Sequence, residues 1–265
     1  MDYSDSISLV ENGRGCFSLD PVVGCYEGTA LDKNGCYGAC YAKSYSKRYG
    51  YDFSKNTLRY FDNEEHRIST VNKINTINMP FVRMGTSGDP SSDWSHTLDI
   101  IKAISLCNKA IVLITKHWHV LSEAQIEEMA GFDVCVNTSI SALDGDKLIE
   151  LRLNQYKRLK FYCKSMLRIV SCDFNNNNPE GTRLGYIQDD LFKNEETIDT
   201  VFRPSVNNKY VLNGTINTSE SIFMGKKSLV SLYNKDTHLG YCNDCPDMCG
   251  AHGCNRNKQI GIFDK

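Results

Sequence analysis

The fold is decided by a series of apolar, strand-like segments, of which the clearest is Lys109-Ala-Ile-Val-Leu-Ile-Thr115. A short apolar run of this length is typical of a strand that is buried on both faces. Similar segments cover residues 79–86, 133–139 and 165–171, and amphipathic segments lie between them. We therefore predict that parallel strands alternate with helices through right-handed crossovers.

The segments between these strands carry helical signals. In 93–106 the large apolar residues recur on one face of a helix. Ser122 and Gln125 have the spacing of a capping box, in which each side chain binds the other residue's backbone amide. After residue 173 the pattern loosens and no further helix is predicted. Further helices are predicted at 41–49 and 145–158, and weaker strand signals lie at 16–23, 209–213 and 227–232.

The chain has 265 residues, of which 41% are hydrophobic, and its net charge is −2. That length suits one α/β barrel of roughly 200 residues or more with an appendage. The near-neutral charge excludes a global basic surface for nucleic acid, although a local basic groove remains open. The N-terminus carries no signal-like segment, and no run approaches the ~18 apolar residues of a membrane span. We expect a cytoplasmic protein with reduced thiols.

The chain contains twelve cysteines, a high number for its length. Seven of them form two tight groups, at 25–40 and 242–254. In a reducing compartment, grouped cysteines bind metal more often than they form disulfides. The other five are scattered among apolar residues and are expected to be small core side chains: Cys16, Cys107, Cys135, Cys163 and Cys172.

The first group has the unusual number of three, Cys25, Cys36 and Cys40. Three thiolates suit a four-iron cluster in which one iron stays open for an exogenous ligand. A structural zinc site normally takes four protein ligands. A zinc site that borrows its fourth ligand elsewhere, from Cys16 or a histidine, is the alternative.

The first group also carries a resemblance to a known family. The stretch Asp20-Pro21-Val-Val-Gly24-Cys25, with Gly35-Cys36-Tyr-Gly-Ala-Cys40-Tyr41-Ala42, resembles the radical S-adenosylmethionine (SAM) superfamily. It looks most like a phage-associated branch with a widely spaced first cysteine. The spacing C-x10-C-x3-C departs from the commonest pattern, C-x3-C-x2-C, and Ala39 stands where an aromatic residue usually precedes the last cysteine.

The resemblance covers roughly residues 15–175 and implies both a fold and a chemistry. It implies a partial or complete (β/α) barrel over 1–237, followed by a small cysteine-rich extension over 238–265. It further implies that Cys25, Cys36 and Cys40 hold a [4Fe-4S] cluster whose open iron binds SAM. Reductive cleavage of SAM would give a 5′-deoxyadenosyl radical that abstracts hydrogen from a substrate.

Further residues match the superfamily motif by motif. Ser87-Gly88-Asp89-Pro90 resembles the Gly-Gly-Glu-Pro element that binds the SAM ammonium group. The resemblance also implies contacts from Tyr41 or Tyr37 to adenine, from Asn137 and Ser139 to the ribose and from Arg168 to the carboxylate. Read alone, each of these residues also suits a turn, a cap or a solvated strand end.

Two more polar residues follow the strand 109–115. Polar groups at the carboxyl ends of parallel strands form the sites of α/β barrels, so Lys116 and His117 are candidate catalytic residues. His117 and His119 flank Trp118 and are also candidate metal ligands, although a role as pocket or surface residues is the alternative.

The second group comprises Cys242, Cys245, Cys249 and Cys254. The spacing C-x2-C-x3-C-x4-C is crowded for a zinc ribbon, which favours a second, auxiliary [4Fe-4S] cluster over zinc. A fully ligated cluster of this kind serves electron relay or structure, and a relay would favour net oxidation of the substrate. The segment around these cysteines has too few apolar residues for a core and needs a metal to fold.

These features together predict a radical SAM enzyme. Its expected partners are a small-molecule or peptide substrate and an electron donor such as flavodoxin or ferredoxin. No association with a membrane is expected. A protein or tRNA substrate stays open. The alternative function is a non-enzymatic zinc-binding module that contacts nucleic acid or protein.

Overall fold

The structure is a computed structural model of the chain. It describes residues 5–31, 36–38, 40–194, 197–201, 209–212, 214–216, 228–230, 233, 238, 240–245 and 249–251. Cys254 lies outside the described residues, as does the side chain of Tyr41.

The described part of the chain forms strands and helices in alternation. The strands are β1 (Leu9–Glu11), β2 (Phe17–Leu19), β3 (Val22–Val23), β4 (Thr57–Leu58), β5 (Phe81–Met84), β6 (Ala110–Thr115), β7 (Val134–Ile140), β8 (Lys164–Ser171), β9 (Thr197–Val201), β10 (Gly214–Ile216) and β11 (Ser228–Val230). The helices are α1 (Tyr26–Leu31), α2 (Tyr41–Tyr49), α3 (Glu64–Thr76), α4 (Trp94–Ile104), α5 (Glu123–Ala130), α6 (Asp146–Leu159) and α7 (Pro179–Leu191). Short 3₁₀ turns lie at Cys36–Gly38, Pro90–Ser92 and Cys242–Asp244.

One sheet of seven strands organises the fold, in the order β1-β2-β5-β6-β7-β8-β9. Neighbours from β2 to β9 are parallel, and β1 is antiparallel to β2. Helices connect β5 to β6, β6 to β7, β7 to β8 and β8 to β9. The predicted α/β class is therefore confirmed. Among the described residues the strand pairing runs from β1 to β9 and does not close into a ring.

The two faces of the sheet carry different layers. Helices α3, α4 and α5 pack on one face, where their apolar residues join Val82, Leu113 and Val136 in the largest core cluster. Successive strand residues point to opposite faces. Phe81 and Val112 therefore belong to the other face, which we call the inner face, and they pack there against Cys242 and other residues of the C-terminal segment.

The local sequence signals explain most of these elements. Strands β5 to β8 and helices α2, α4 and α6 lie at the predicted positions, and the capping box of Ser122 and Gln125 is formed at α5. Helices α3 and α7 were not predicted. The start of α7 carries a usable signal, because the Asn178 side chain accepts from the amides of Glu180 and Gly181, and Pro179 takes the first helical position.

The weaker strand predictions are confirmed in part. The segment 16–23 forms two short strands, β2 and β3, and β11 lies within 227–232. At 209–212 the described residues form a turn with one isolated bridge, between Val211 and Phe174. No helix in the described ranges is long and apolar enough to cross a membrane.

Candidate functional site

The N-terminal cysteine set, Cys25, Cys36 and Cys40, gathers around Gly28. Cys25 is buried directly after β3, Cys36 opens a 3₁₀ turn and Cys40 precedes α2. A methyl group on Gly28 would lie 2.8 Å from the Cys25 sulfur and 3.2 Å from the Cys36 sulfur, so both sulfurs face one space. Cys40 packs against the apolar cluster that contains Cys25 and lies close enough to Cys36 to act on its charge.

Burial dominates the acid–base properties of this set. Burial, followed by the Asp89 carboxylate and the Cys36 thiol, raises the pKa of Cys25. Burial also raises the pKa of Cys36, while the Lys116 ammonium acts in the opposite direction. Because metals bind thiolates, a cation at this site would displace the thiol protons.

The donor type and the space beside Gly28 fit a thiolate-bound metal group. The buried Cys25 and the partly buried Cys36 and Cys40 supply soft donors, and the absent Cβ of Gly28 leaves room next to two of them. In the part of the chain that the structure describes, no three His, Cys, Asp or Glu side chains meet the spacing of a single-ion site.

A glycine-containing loop lies against the N-terminal cysteine set. The loop 85–88 follows β5, and the Asp20 carboxylate accepts hydrogen bonds from the amides of Gly85, Thr86 and Ser87 at 2.8–2.9 Å. The Gly24 amide donates to the Ser87 carbonyl at 3.1 Å. These bonds fix the loop to the residue that precedes Cys25.

Glycine is required at two contacts of this loop. Gly85 has a φ of +93°, and a Cβ there would lie 2.1 Å from the Ile114 carbonyl oxygen. A Cβ on Gly88 would lie 2.4 Å from the Val22 carbonyl oxygen. The backbone of this loop therefore packs directly on the backbones that lead to Cys25 and to Lys116.

Asp89 turns its carboxylate away from solvent. Its Oδ1 accepts from the Ser91 amide, the Ser91 hydroxyl and the Thr115 hydroxyl, and its Oδ2 accepts from the Lys116 amide at 2.7 Å. A carboxylate has about four acceptor positions. Asp89 therefore joins the loop after β5 to the residues that follow β6.

A buried charge network lies beside Cys36. The Lys116 ammonium binds the Tyr37 hydroxyl at 2.5 Å and lies 3.8 Å from the Asp144 carboxylate. Asp144 also accepts from Tyr37 at 2.8 Å and forms an ion pair of 2.5 Å with Arg152, whose side chain is 0% exposed. Although burial alone would raise it, Lys116 and Arg152 hold the pKa of Asp144 below its usual value.

His117 is buried within the same part of the structure. Its Nε2 lies 3.0 Å from the Thr138 hydroxyl, and its backbone has a φ of +49°. Burial, with a smaller effect from the Arg152 charge, lowers the pKa of His117 to about 3. His117 is therefore neutral at physiological pH. His119 is exposed and contacts the Glu27 carboxylate at 3.1 Å.

Asn137, Ser139 and Arg168 lie on neighbouring strands. Ser139 and Arg168 are register partners in β7 and β8, so their side chains point to the same face. Asn137 is fully buried on that face, and its amide donates to the Cys249 carbonyl at 3.0 Å. Asn137 Oδ1 and Trp118 Nε1 are among several buried side-chain atoms that have no hydrogen-bond partner among the described residues. Such atoms are often satisfied by a bound ligand or water.

The C-terminal cysteines that the structure describes lie at the other end of the strands. Cys242 packs in a cluster with Phe81 and Ala110, the first residues of β5 and β6. The Cys135 thiol donates to the Cys249 carbonyl at 3.1 Å. Cys245 follows the 3₁₀ turn at Cys242–Asp244 and is partly exposed.

Cys16 belongs with these C-terminal cysteines. Its thiol forms a hydrogen-bonded pair with Cys242 and lies within electrostatic reach of Cys249. The hydrogen bond, followed by burial, raises the pKa of Cys16, and the same bond lowers the pKa of Cys242 to about 6. The alternative in which Cys16 completes the N-terminal set is therefore wrong, because Cys16 lies at the opposite end of the sheet.

Several site residues were not predicted from the sequence: Asp20, Gly28, Asp144, Arg152 and Cys16 as a partner of Cys242. Asp144 follows β7 at the sheet edge where such sites form, so its position carried a signal. Arg152 lies in a helix with several other charged residues, and nothing local distinguishes it from them. Its burial depends on the pairing with Asp144.

No protein-family model matches the chain. A search of curated proteins likewise finds no match.

Proposed function

We propose that the chain is a radical SAM enzyme. The observation that carries the proposal is the convergence of the Cys25 and Cys36 sulfurs on Gly28, beside the loop 85–88 at the carboxyl end of a parallel sheet. Cys25, Cys36 and Cys40 would hold a [4Fe-4S] cluster. When bound, that cluster would pass one electron from an external donor to SAM, whose cleavage would give methionine and a 5′-deoxyadenosyl radical that abstracts hydrogen from the substrate.

The charges around the site support this assignment. Three thiolates bring negative charge into a buried region, and Lys116 and Arg152 lie close enough to Cys36 to offset part of it. Asp144 pairs with both cations and offsets one of their two positive charges, which leaves net positive charge beside Cys36. In this proposal Lys116 balances the ligand charge, while the neutral His117 fixes the turn after β6.

The loop after β5 would hold the SAM ammonium group. Ser87 and Gly88 bring backbone carbonyls to this edge of the sheet, and carbonyl oxygens accept from an ammonium group. The Asp89 carboxylate is engaged by four donors, so its proposed part is to hold the loop. Asp20 also holds the loop, because its carboxylate accepts from the amides of residues 85–87.

The remaining polar residues would bind the rest of SAM. Ser139 and Arg168 share one face, which supports contacts to the ribose and the carboxylate. The unpaired Oδ1 of Asn137 supports a contact to a hydroxyl. The partial (β/α) barrel and the contact of Tyr41 with adenine belong to the same proposal.

The C-terminal cysteines would hold a second metal group. We assign them an auxiliary [4Fe-4S] cluster with a role in electron relay or in folding. A cytoplasmic location, an electron donor of the flavodoxin or ferredoxin type and a small-molecule or peptide substrate complete the proposal.

The test is anaerobic purification and reconstitution with iron and sulfide, followed by incubation with SAM and dithionite. Formation of 5′-deoxyadenosine, measured by liquid chromatography, supports the proposal. Cys36→Ala should abolish that product, while Cys249→Ala should leave some cleavage. Cys107→Ala is the matched control, because Cys107 is buried in the core on the opposite sheet face.

Two results would contradict the proposal. One is a colourless protein that retains zinc but no iron, which would favour the zinc-binding module. The other is a reconstituted iron–sulfur protein that never cleaves SAM.

A further inference from the structure

The C-terminal segment is attached to a residue stretch near the N-terminus. The Arg14 guanidinium donates to the carbonyls of Gly240 and His238, at 3.0 and 3.3 Å. The Cys242 amide donates back to the Arg14 carbonyl at 2.9 Å. This reciprocal pairing brings Cys242 next to the residues that immediately precede β2.

The loop before β2 presents Cys16 to the C-terminal segment. The Asn12 side chain accepts from the amides of Arg14 and Cys16, at 2.9 and 3.2 Å. The Asn12 amide donates to the Cys16 carbonyl at 2.9 Å, which closes the loop. The loop is therefore held by its own hydrogen bonds, and the Cys16 side chain is fully buried against Cys242.

Cys249 packs against the cluster that contains Cys16 and Cys242. Gly250 lies against the inner face, where a Cβ would stand 3.0 Å from Lys164 Cε and 3.1 Å from the Cys135 sulfur. Ala251 is buried in the cluster that contains Cys16 and Cys242, and Cys249 packs against that cluster. Cys16 and Cys242 thus share one cluster at the amino-terminal end of the strands, and Cys249 packs against it, so two distant parts of the sequence supply thiols there.

The surroundings suit a thiolate-rich centre. The Arg83 guanidinium, on the inner face, lies near enough to act electrostatically on both Cys16 and Cys242. Positive charge next to several thiolates stabilises them. Cys135, by contrast, directs its thiol to the Cys249 carbonyl, which assigns it a supporting contact.

We infer that Cys16 is a ligand of the C-terminal metal centre, together with Cys242, Cys249 and one further cysteine of the C-terminal segment. The centre is a soft-metal site built from cysteine sulfur, either an iron–sulfur cluster or zinc. This inference rests on the proposal that the C-terminal cysteines bind metal, but it is independent of SAM cleavage. The metal would join the segment after residue 240 to the start of the main sheet.

The test uses the full chain with Cys25, Cys36 and Cys40 replaced by alanine, so that bound metal reports the C-terminal centre alone. Iron, zinc and sulfide are measured after anaerobic reconstitution and desalting. Adding Cys16→Ala should lower the retained metal about tenfold or more, because one of four ligands is lost. Iron with sulfide identifies a cluster, and zinc alone identifies a single-ion site.

Cys135→Ala in the same background is the matched control, because it removes a buried thiol from the same place without removing a proposed ligand. It should retain the metal. Cys16→Ser keeps the side-chain volume and carries the test if Cys16→Ala does not fold, as judged by circular dichroism. Full metal retention in either folded Cys16 variant overturns the inference. Absence of metal from the parent background overturns the second metal site itself.

Discussion

The two cysteine regions of this chain are assembled in opposite ways. The N-terminal set comes from one stretch of sequence and lies at the carboxyl end of the sheet, where the residue after β6 and helix α6 bring Lys116 and Arg152 close to it. The C-terminal region combines a segment near the chain end with Cys16, far away in sequence, at the amino end of the strands. Under the proposed function, cysteine spacing alone would identify all ligands of the N-terminal set, but it would miss Cys16 as a ligand of the C-terminal centre.

Gly28→Val should distinguish the two cysteine regions most strongly, because it fills the space beside two sulfurs of the N-terminal set. Metal retained by this set, and with it formation of 5′-deoxyadenosine, should fall about a hundredfold, as expected when a site is displaced by about an ångström. The metal of the C-terminal region should remain. Gly13→Val is the control, because a Cβ on Gly13 would meet nothing within 4 Å. Unchanged metal content in Gly28→Val would contradict the assignment of the site.

A second substitution acts on the buried ion pair beside the N-terminal set. Arg152→Met leaves Asp144 buried with Lys116 as its remaining cation, at 3.8 Å. The free energy of unfolding should fall by about 3 kcal/mol, as for other buried ion pairs that lose one partner. Urea unfolding measures the loss. Arg183→Met, which removes the exposed ion pair with Glu180, should leave the unfolding midpoint unchanged.

The buried His117, close to the N-terminal set, should make the stability of the protein depend on pH. His117 has a pKa of about 3 in the folded protein and 6.5 in the unfolded chain, so below pH 6.5 the unfolded chain binds a proton that the folded protein does not. Stability is therefore full above pH 6.5 and should decline by about 2 kcal/mol by pH 5 on account of this residue. His117→Asn, which tolerates the positive φ, should remove that part of the slope in urea titrations between these pH values. An identical slope in His117→Asn and the exposed control His119→Asn would contradict the prediction.

A substitution in the C-terminal region should change the stability of the protein only slightly. Gly250 has a φ of +74° and close neighbours on the inner face, so Gly250→Ala should destabilise the protein by about 1 kcal/mol. It should also weaken metal retention at the C-terminal centre while SAM cleavage by the N-terminal set persists. Gly185→Ala lies in open space within α7 and should instead be neutral or slightly stabilising. Equal thermal stability of the two variants would show that the position of Gly250 is not constrained.

The sequence predicts the elements whose signals are local. The strand at 109–115 and the Ser122–Gln125 capping box depend on hydrophobic pattern and on neighbouring residues, and both are confirmed. The Asn178-Pro179 start of α7 carried such a signal and was nevertheless missed, because the hydrophobic pattern loosens after residue 173.

Contacts between distant residues could not be predicted in this way. Cys16 is surrounded by residues that suit a core position, and only the folded chain brings it to Cys242. The same holds for the ion pair of Arg152 with Asp144, since burial of a charge depends on a partner that local sequence does not identify. The donors to Asp89 from Thr115 and Lys116 likewise become apparent only when β5 and β6 lie side by side.

The hydrogen bonds of Asp20 and Gly24 to the loop 85–88 have a thermodynamic consequence. Because they tie this loop to the chain just before Cys25, an ordering of one segment also orders the other. Linkage then requires reciprocity: if metal at the cysteines tightens the binding of a small ligand at the loop by some factor, that ligand tightens the metal by the same factor. Cooperative binding of the metal and the small ligand would thus follow from the hydrogen bonds that join the two segments.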